Sequence, residues 1–582
     1  MRAFQRHARE IPETPAVIHA RETADGLVED SLTYGRLDHE ARLVATALRK
    51  DLAPGDRVLL LHPEGLEFAR TFIGCLYAGL VPVVAPPHGR NPAQRARTEQ
   101  IIRDAGCALL LAPADERAVL LDWLDTVGLH EVAVGATDSA WFDGGVVEPA
   151  AFPVPEAEHT AFLQYTSGST SAPRGVVVSH GNVAHNARQL IELFGWTADM
   201  RFCSWLPMFH DMGLIQGLLT PLVLGATTVH FAPAVFLKRP CRWLELISRH
   251  RAAVSAAPNF AYELCARRVT DDQLTGLDLS SWQVAGNGSE PIDWITLERF
   301  AERFASVGFR ASAFATGYGL AESTLAVTGT PLDEAPVGAV VDRSALSTGT
   351  LRPAEPGRPD VRLVSSGRVG DYELRIVDPA TGETLPDGSV GEIWIRGGSV
   401  AQGYWRKPEE TARVFHATAA DGTGPFLRTG DLGALLDDRL YVTGRLKDTI
   451  VLNGRNIYPH DIERMMSSLD PAFGGLPAAA FAVQGGRFEE IAVVQELRVG
   501  VHGEEELRAL VRRTKAVLGA DLGVPVGSVA LVETGQVPRT TSGKIQRVRA
   551  RELLLGGGLK VVHEELSRDV AGLCRARAAE SV

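Results

Sequence analysis

The sequence lacks several features that would assign it to a well-known class. Its six cysteines include no Cys-x-x-Cys pair, so neither a zinc site nor a disulfide framework is indicated. The first residues, Met1 to Arg6, have no apolar core of the kind that a signal peptide carries. No long basic run occurs outside the C-terminal region, and the net charge is −12, which argues against nucleic acid as the main partner.

A membrane span is also missing, although one stretch resembles one at first sight. Residues 212–237 carry no Asp, Glu, Lys or Arg. Gln216, Pro221, Gly225 and Pro233 interrupt the stretch, so we predict a buried helix followed by a strand, with no stable membrane insertion. At 582 residues the chain is too long for one hydrophobic core, and two or more domains are expected. We expect a cytoplasmic protein.

The most informative stretch is residues 163–182, Leu-Gln-Tyr-Thr-Ser-Gly-Ser-Thr-Ser-Ala-Pro-Arg-Gly-Val-Val-Val-Ser-His-Gly-Asn. Residues 161–165 and 176–178 are predicted strands, and Asn182 is a candidate cap for the helix that follows. The loop between the strands offers backbone N–H groups, hydroxyls and the cation of Arg174, which suit a triphosphate. An ordinary surface hairpin has the same composition. The stretch matches neither a Walker loop nor a nucleophile elbow.

Strand and helix patterns alternate through the first part of the chain. We predict strands at residues 57–61, 80–84 and 108–112, and a helix at 92–105. This alternation favours a layered α/β domain with much parallel sheet.

Four further segments carry polar residues that suit nucleotide chemistry. Gly286 to Pro291 lacks the third glycine of a dinucleotide fingerprint, so that assignment is rejected. Glycines beside Tyr318 allow its ring to stack on a flat ligand, and Glu322 offers a hard oxygen to Mg²⁺. His210 lies in an aromatic turn, where a satisfied core histidine is the simpler interpretation. The Asp431 carboxylate can accept hydrogen bonds from two vicinal hydroxyls. The alternative is an ordinary turn in which Asp431 pairs with a nearby Arg.

Taken in order, these segments resemble the motifs of the adenylate-forming superfamily, which includes acyl-CoA synthetases, peptide-synthetase adenylation domains and fatty acyl-AMP ligases. The similarity runs from Leu163 to Arg547. Ser171 and Arg174 stand where the usual phosphate loop has Gly and Lys. The wording Phe-His-Asp-Met-Gly-Leu-Ile, at residues 209–215, is similar to the fatty acyl-AMP ligase branch.

The resemblance implies an α/β fold with a large multi-layer N-terminal domain, residues 1–444, and a small mobile α+β lid, residues 445–582. It implies that Lys544 and His210 are catalytic, that Lys447 is the hinge and that Glu322 holds the metal. The residues implied to contact ATP are Thr166, Ser167, Gly168, Ser169, Thr170, Arg174, Gly288, Ser289, Glu290, Tyr318, Gly319, Asp431 and Arg445.

The activity implied is ATP- and Mg²⁺-dependent conversion of a fatty acid to acyl-adenylate, with transfer of the acyl group to an acyl carrier protein. An acyl-CoA synthetase and a degenerate, non-catalytic family member remain alternatives. The segment from Glu322 to Gly367 is longer than in the CoA ligases, with the excess around residues 341–366. It is either a tolerated surface insertion or the insertion that marks fatty acyl-AMP ligases. Arg547, Arg549 and Arg551 are candidates to meet an acidic carrier surface.

Overall fold

A computed structural model of the chain describes residues 1–89, 92–137, 152, 154–165, 173–332, 334–452, 455–485, 488–498, 500, 503–540 and 543–580. Its strands are β1 (Pro15–Thr23), β2 (Gly26–Thr33), β3 (Arg57–Leu60), β4 (Val81–Val84), β5 (Leu109–Ala112), β6 (Ala133–Ala136), β7 (Thr160–Tyr165), β8 (Gly175–Ser179), β9 (Phe202–Ser204), β10 (Thr228–Phe231), β11 (Val254–Ala257), β12 (Val284–Asn287), β13 (Phe314–Gly319), β14 (Ala326–Gly329), β15 (Gly338–Asp342), β16 (Asp360–Val364), β17 (Arg368–Val369), β18 (Glu373–Val377), β19 (Gly391–Arg396), β20 (Leu427–Leu436), β21 (Arg439–Arg445), β22 (Ile450–Leu452), β23 (Arg455–Ile457), β24 (Ala478–Gly485), β25 (Phe488–Glu496), β26 (Val526–Val532) and β27 (Val561–Glu565).

The helices are α1 (Arg2–Glu10), α2 (Tyr34–Leu48), α3 (Leu66–Tyr77), α4 (Pro92–Ala105), α5 (Arg117–Thr126), α6 (His180–Leu193), α7 (Thr220–Leu224), α8 (Pro233–Lys238), α9 (Cys241–His250), α10 (Asn259–Arg268), α11 (Asp271–Leu274), α12 (Trp294–Phe304), α13 (Arg343–Ser347), α14 (Pro408–Phe415), α15 (Pro459–Leu469), α16 (Glu504–Leu522), α17 (Arg547–Leu555) and α18 (Arg568–Glu580). A π-helix (Met212–Leu219) precedes α7.

One sheet is built by the alternation that the sequence predicted. Its order is β6-β5-β3-β4-β7-β8, and all neighbours are parallel except the β7–β8 hairpin. Strands β4 and β5 are buried along their whole length, because helices cover both faces of a parallel sheet. The predicted layered α/β arrangement is confirmed here, and α4 has the bounds that the sequence pattern gave.

A second, larger sheet joins a parallel half to an antiparallel half. The described residues place its strands in the order β18-β19-β20-β21-β17-β14-β13-β12-β11-β9-β10-β1-β2. The run from β13 to β1 is parallel, whereas β17 to β21 pair antiparallel. The alternation in the first part of the chain predicted much parallel sheet and did not address this antiparallel half. Asp437 and Asp438, both with positive φ, make the two-residue hairpin turn from β20 to β21, so no crossover helix is needed.

The C-terminal residues build a smaller sheet, in the order β24-β25-β26-β27. Helices α15 and α16 pack on one face of this sheet and share one hydrophobic cluster. Helix α17 packs on the other face, in a second cluster. Strands β24 and β25 contain the apolar runs at residues 478–483 and 491–496, and α16 carries an amphipathic pattern that ends at Leu518. This confirms the α/β fold class with a small C-terminal domain.

The uncharged stretch at residues 212–237 is a buried helix and then a strand, as predicted. Its first turns are a π-helix rather than an α-helix, which the periodicity did not indicate. Gly213 allows this geometry, since a Cβ there would lie 2.1 Å from the Pro207 carbonyl oxygen. Among the residues described, no helix combines the length and apolar character needed to cross a membrane.

Aromatic side chains pack around Trp243. The Trp243 ring, on α9, is fully buried and makes edge or tilted contacts with the rings of Phe236, Tyr262 and Trp282 at 5.1–5.6 Å. Such geometries add to the free energy that the buried area itself contributes. This cluster holds α9 and α10 against the strands that carry the site.

Replacing Trp243 with Ala should therefore lower the free energy of unfolding by about 3–5 kcal/mol, because the cavity cannot collapse among other large rings. Denaturant unfolding followed by circular dichroism measures this loss. Val119→Ala, at a side chain that is 53% exposed, is the control and should change little. Equal effects of the two substitutions would contradict a core role for the cluster.

Candidate active site

The predicted site residues gather where parallel strands end. Gly288 to Glu290 follow β12, Tyr318 and Gly319 end β13, and His210 lies beyond β9. These strands belong to the parallel half of the large sheet, and carboxyl ends of parallel strands are where open α/β folds bind ligands. Asp431 and Arg445 come from the antiparallel half, which the sheet places beside β13.

The phosphate-loop residues Thr166 to Thr170, together with Ser171, lie outside the described residues. Their flanks form the predicted hairpin, with Tyr165 opposite Gly175. The helix after the hairpin begins at His180, and Ser179 is its cap rather than Asn182. Asn182 is three residues later in the same capping box, because its side chain accepts from the Ser179 N–H.

The turn after β12 is tightly built. A Cβ on Gly288 would lie 2.8 Å from the Gly317 carbonyl oxygen, so only glycine brings the two turns this close. Ser289 has a φ of 70°, a strained value for a residue with a side chain. Glu290 accepts the Phe260 N–H at 2.7 Å. Burial raises the pKa of the Glu290 carboxyl group.

Asp431, Arg445 and Tyr318 form one contact group. Asp431 and Arg445 are opposite each other on β20 and β21, with Nε to Oδ1 at 2.9 Å. The Tyr318 hydroxyl donates to the other carboxylate oxygen, Oδ2, at 2.8 Å. Asp431 raises the pKa of the Arg445 guanidinium. The arrangement presents two oxygens of fixed direction toward the end of β13, and it is also the ordinary Asp–Arg pair that the sequence left open.

His210 and Asp211 lie immediately before Met212, the first residue of the π-helix. Asp211 accepts the Met212 N–H at 2.7 Å, and His210 Nδ1 lies 2.7 Å from Asp211 Oδ1. Burial opposes ionisation of Asp211, but the neighbouring His210 and Lys544 outweigh it, so the pKa of Asp211 lies below its usual value. The Gln164 side chain, on β7, donates to the Phe209 carbonyl oxygen. This bond connects the turn to the six-stranded sheet formed by β3 to β8.

Lys544 reaches this region from the C-terminal part of the chain. Its N–H donates to Thr540 Oγ1 at 3.0 Å, and a Cβ on Gly543 would lie 3.7 Å from the Phe260 ring. Burial, with the charge of Arg445, lowers the pKa of the Lys544 ammonium group, whereas Asp211, Glu290 and Asp431 act in the opposite direction. The lysine therefore faces the same groups that β9, β12 and β20 present.

Glu322 and Arg174 both contact Tyr404, which was not among the predicted site residues. The Tyr404 hydroxyl donates to Glu322 Oε1 at 2.8 Å, and the Arg174 guanidinium lies 5.5 Å from the centre of the Tyr404 ring. Glu410 on α14 pairs with Arg174 at 2.9 Å. Tyr404 lies in a Gly-Tyr-Trp run, and this local sequence does not predict contacts with Glu322 or Arg174.

Lys447, the predicted hinge, follows Arg445 at the end of β21. Burial lowers the pKa of its ammonium group, and the Arg445 charge lowers it further. Its neighbour Asp448 is bound to the C-terminal part by an ion pair with Arg547, at 3.0 Å.

Arg547 forms ion pairs within the C-terminal part of the chain. Its guanidinium makes two parallel contacts with Glu463, at 2.8 and 2.7 Å, besides the one with Asp448. Arg549 is exposed and pairs with Glu552 on the same helix. Arg547 is therefore held by two carboxylates of the C-terminal part, and contact of Arg547, Arg549 and Arg551 with an acidic partner stays a prediction.

The segment around residues 341–366 is folded. β15 and β16 form a hairpin, with α13 between them. Val341, Leu346 and Leu363 share a hydrophobic cluster with Leu432 on β20 and with Tyr458 just before α15. Arg343 on α13 forms an ion pair with Asp521 on α16. The segment thus contacts both the large sheet and the C-terminal domain.

Comparison with known proteins identifies the class. Residues 4–405 match the family of AMP-binding enzymes. This chain belongs to that family, whose members use ATP, and this confirms the nucleotide that the motifs indicated.

Two named relatives and one solved structure show which branch of this family the chain resembles. The chain is 40% identical to the long-chain-fatty-acid–AMP ligase FadD26 of Mycobacterium marinum, covering 90% of this chain and 91% of that one. It is 38% identical to JamA of Moorena producens, a medium-chain-fatty-acid–[acyl-carrier-protein] ligase, covering 91% of each. A solved fatty acid AMP ligase of Legionella pneumophila is 34% identical, with a TM-score of 0.73 over 97% of each chain. The resemblance to fatty acyl-AMP ligases is confirmed.

Removing the Arg547 guanidinium should destabilise the C-terminal domain. Arg547→Ala leaves Glu463 and Asp448 half-buried without their partner, at a cost of about 1.5–3 kcal/mol. Hydrogen exchange of α15 and α17 measures the loss of local stability. Arg549→Ala is the matched control, since that exposed pair contributes little. Unchanged exchange in the Arg547 variant would show that the pair is dispensable.

Proposed function

We propose that this protein converts a fatty acid and ATP into acyl-adenylate and pyrophosphate, and then passes the acyl group to the phosphopantetheine thiol of an acyl carrier protein. The observation that carries the proposal is the position of Lys544, which enters from the C-terminal part and faces Asp211, Glu290 and Asp431. A mobile cation at the ends of β9 and β12 suits a reaction between two anions. The names of FadD26 and JamA support this choice.

The chemistry follows from charge. A carboxylate oxygen of the fatty acid attacks the α-phosphorus of ATP, and the bond to the bridging oxygen of the β-phosphate breaks, releasing pyrophosphate. Lys544 lies between the two anions and reduces their repulsion, which is a task of positioning and electrostatic stabilisation. Asp431 and Arg445 hold the ribose, Tyr318 stacks on the adenine, and residues 166–170 with Arg174 contact the phosphates. No protein nucleophile is required.

Glu322 fits a magnesium ion that is shared with the substrate. Among the residues described, no group of three or more His, Cys, Asp or Glu is placed to hold a metal. Mg²⁺ is commonly held by one or two carboxylates together with substrate phosphates, and a single carboxylate beside Arg174 matches that mode. Glu322 would hold the ion, which would supply positive charge to offset that of the pyrophosphate.

The π-helix lines a candidate position for the fatty chain. A small cavity there is lined by Leu206, Met212, Gln216 and Gly217, with β11 as its far wall. That cavity measures about 10 Å³, roughly the space of one water, so it must widen before a fatty chain can enter. Asp211 interacts with the Lys544 charge, so the carboxylate of the acid is placed at this end of the π-helix, toward the lysine.

Transfer to a thiol requires Lys544 to leave. We assign residues 1–444 to the nucleotide-binding domain and residues 445–582 to a lid that turns about Lys447. The segment around residues 341–366 contacts that lid through Arg343 and Tyr458. These contacts oppose the turn and favour a carrier protein over free CoA as acceptor.

Lys544→Ala should lower the rate of acyl-adenylate formation at least about 100-fold, the usual cost of losing one preorganised group at the developing charge. Binding of ATP should weaken little, because its ribose contacts come from Asp431 and Arg445. Pyrophosphate exchange and calorimetry measure the two quantities. Lys560→Ala, an exposed lysine of the same domain, is the control. Near-normal adenylation by Lys544→Ala would refute the proposed mechanism.

The acceptor is tested by offering fatty acid, ATP and Mg²⁺ with either CoA or a holo carrier protein, read out by mass spectrometry. The intact protein should acylate the carrier and form little acyl-CoA. Asp342 and Asp360 are directly paired, so replacing residues 343–359 with Asn-Gly keeps the hairpin and removes two of the residues that contact the lid, Arg343 and Leu346. This variant should form at least about tenfold more acyl-CoA, a change of about 1.4 kcal/mol in the barrier.

Arg343→Ala, which removes only the ion pair with Asp521, should have an intermediate effect on acceptor choice. Efficient acyl-CoA formation by the intact protein would instead favour an acyl-CoA synthetase. Absence of pyrophosphate exchange with every acid would favour a non-catalytic member.

A further inference from the structure

A short segment after β19 lies between the Glu322 turn and β8. The Ala401 N–H donates to the Glu322 carbonyl oxygen at 2.9 Å. The Trp405 N–H donates to the Gly175 carbonyl oxygen at 2.7 Å. Residues 401–405 therefore bond at one end to the turn that carries Glu322 and at the other to the strand that begins just after Arg174.

Tyr404 repeats this bridge with its side chain. Its hydroxyl donates to Glu322 Oε1 at 2.8 Å, and its ring lies under the Arg174 guanidinium at 5.5 Å. The ring also makes an edge contact with the Phe415 ring at 5.1 Å, and the Tyr404 N–H donates to Thr411 Oγ1 at 2.9 Å. With 6% of its surface exposed, the side chain has little freedom to move.

We propose that Tyr404 is a positioning residue that sets both groups at the pyrophosphate end of the site, Glu322 through its hydroxyl and Arg174 through its ring. This inference rests on the proposed function for the identity of the ligand. It assigns one side chain two separable tasks, which belong to different atoms.

The hydroxyl task concerns the direction of the carboxylate. A bond at Oε1 fixes the rotation of the Glu322 carboxyl group, so that its other oxygen keeps a constant direction toward a divalent cation. Hydrogen-bond partners of metal ligands commonly change metal affinity 10–100-fold. A phenol carries its proton at neutral pH, so the Tyr404 hydroxyl is the donor and the Glu322 carboxylate the acceptor.

The ring task concerns Arg174. Its guanidinium pairs with Glu410 at 2.9 Å and lies over the Tyr404 ring, so two contacts fix its direction before a nucleotide arrives. A cation over an aromatic face gains electrostatic attraction that does not depend on the hydroxyl. Phe at position 404 would preserve this contact, and Leu would remove it.

The experiment is calorimetric titration of the full chain with ATP, without fatty acid, once in Mg²⁺ and once in EDTA. Tyr404→Phe should raise the Kd about tenfold in Mg²⁺ and less than about twofold in EDTA. Tyr404→Leu should raise the Kd in EDTA as well, by about threefold or more. Glu322→Gln should lose the Mg²⁺ effect, and adding Tyr404→Phe to it should cause no further loss.

Tyr34→Phe is the matched control, because it also removes a buried hydroxyl, which donates to the Pro221 and Ala226 carbonyl oxygens away from Glu322. It should leave both Kd values unchanged. A Tyr404→Phe variant with an unchanged Kd in Mg²⁺, or with equal losses in Mg²⁺ and EDTA, would overturn the inference. If no acid is adenylated but the predicted differences in ATP binding are found, the proposed function is wrong and the positioning role of Tyr404 stands.

Discussion

Arginines around the site are held by carboxylates before any nucleotide binds. Arg445 pairs with Asp431, Arg174 with Glu410, and Arg547 with Glu463. A partly buried guanidinium without a partner is unfavourable, and this requirement fixes which strands and helices must meet. β21 must lie beside β20, α14 beside the start of β8, and α17 beside α15. The orientation of each cation is a property of the fold and not of the ligand.

This arrangement suits a chain with a net charge of −12. The groups proposed to bind phosphate cannot depend on a general positive field, so local placement must supply the attraction. Preorganised dipoles and charges need little rearrangement when the charge of the reaction develops. The proposed roles of Lys544, Arg174 and Tyr404 are three instances of this one principle.

Much of the fold was predictable because it rests on local patterns. Apolar runs bounded by turn residues predicted β7 and β8, and the alternation of strand and helix patterns predicted α4. Sequence motifs identified most of the candidate site residues. Asp431 and Arg445, for example, were identified from the residues that flank them in the sequence. These predictions needed no knowledge of which elements touch.

The contacts that were missed join residues far apart in the chain. Tyr404 meets Glu322 and Arg174 only after three separate segments have folded, and a tyrosine in a loop has many possible partners. The π-helix depends on Gly213 fitting against Pro207, which periodicity does not report. The cap of α6 was misplaced by three residues because Ser179 and Asn182 are both good caps and share one capping box.

The hydrophobic cluster that Leu346 and Tyr458 share has a thermodynamic consequence. Any rotation of the C-terminal domain that separates them brings apolar surface into contact with water. Hydration of apolar surface carries a large positive heat capacity and little enthalpy near room temperature. The cost of opening therefore changes with temperature and weakens on cooling. The Arg343–Asp521 pair at the same junction depends instead on ionic strength, so one junction responds to two independent conditions of the cell.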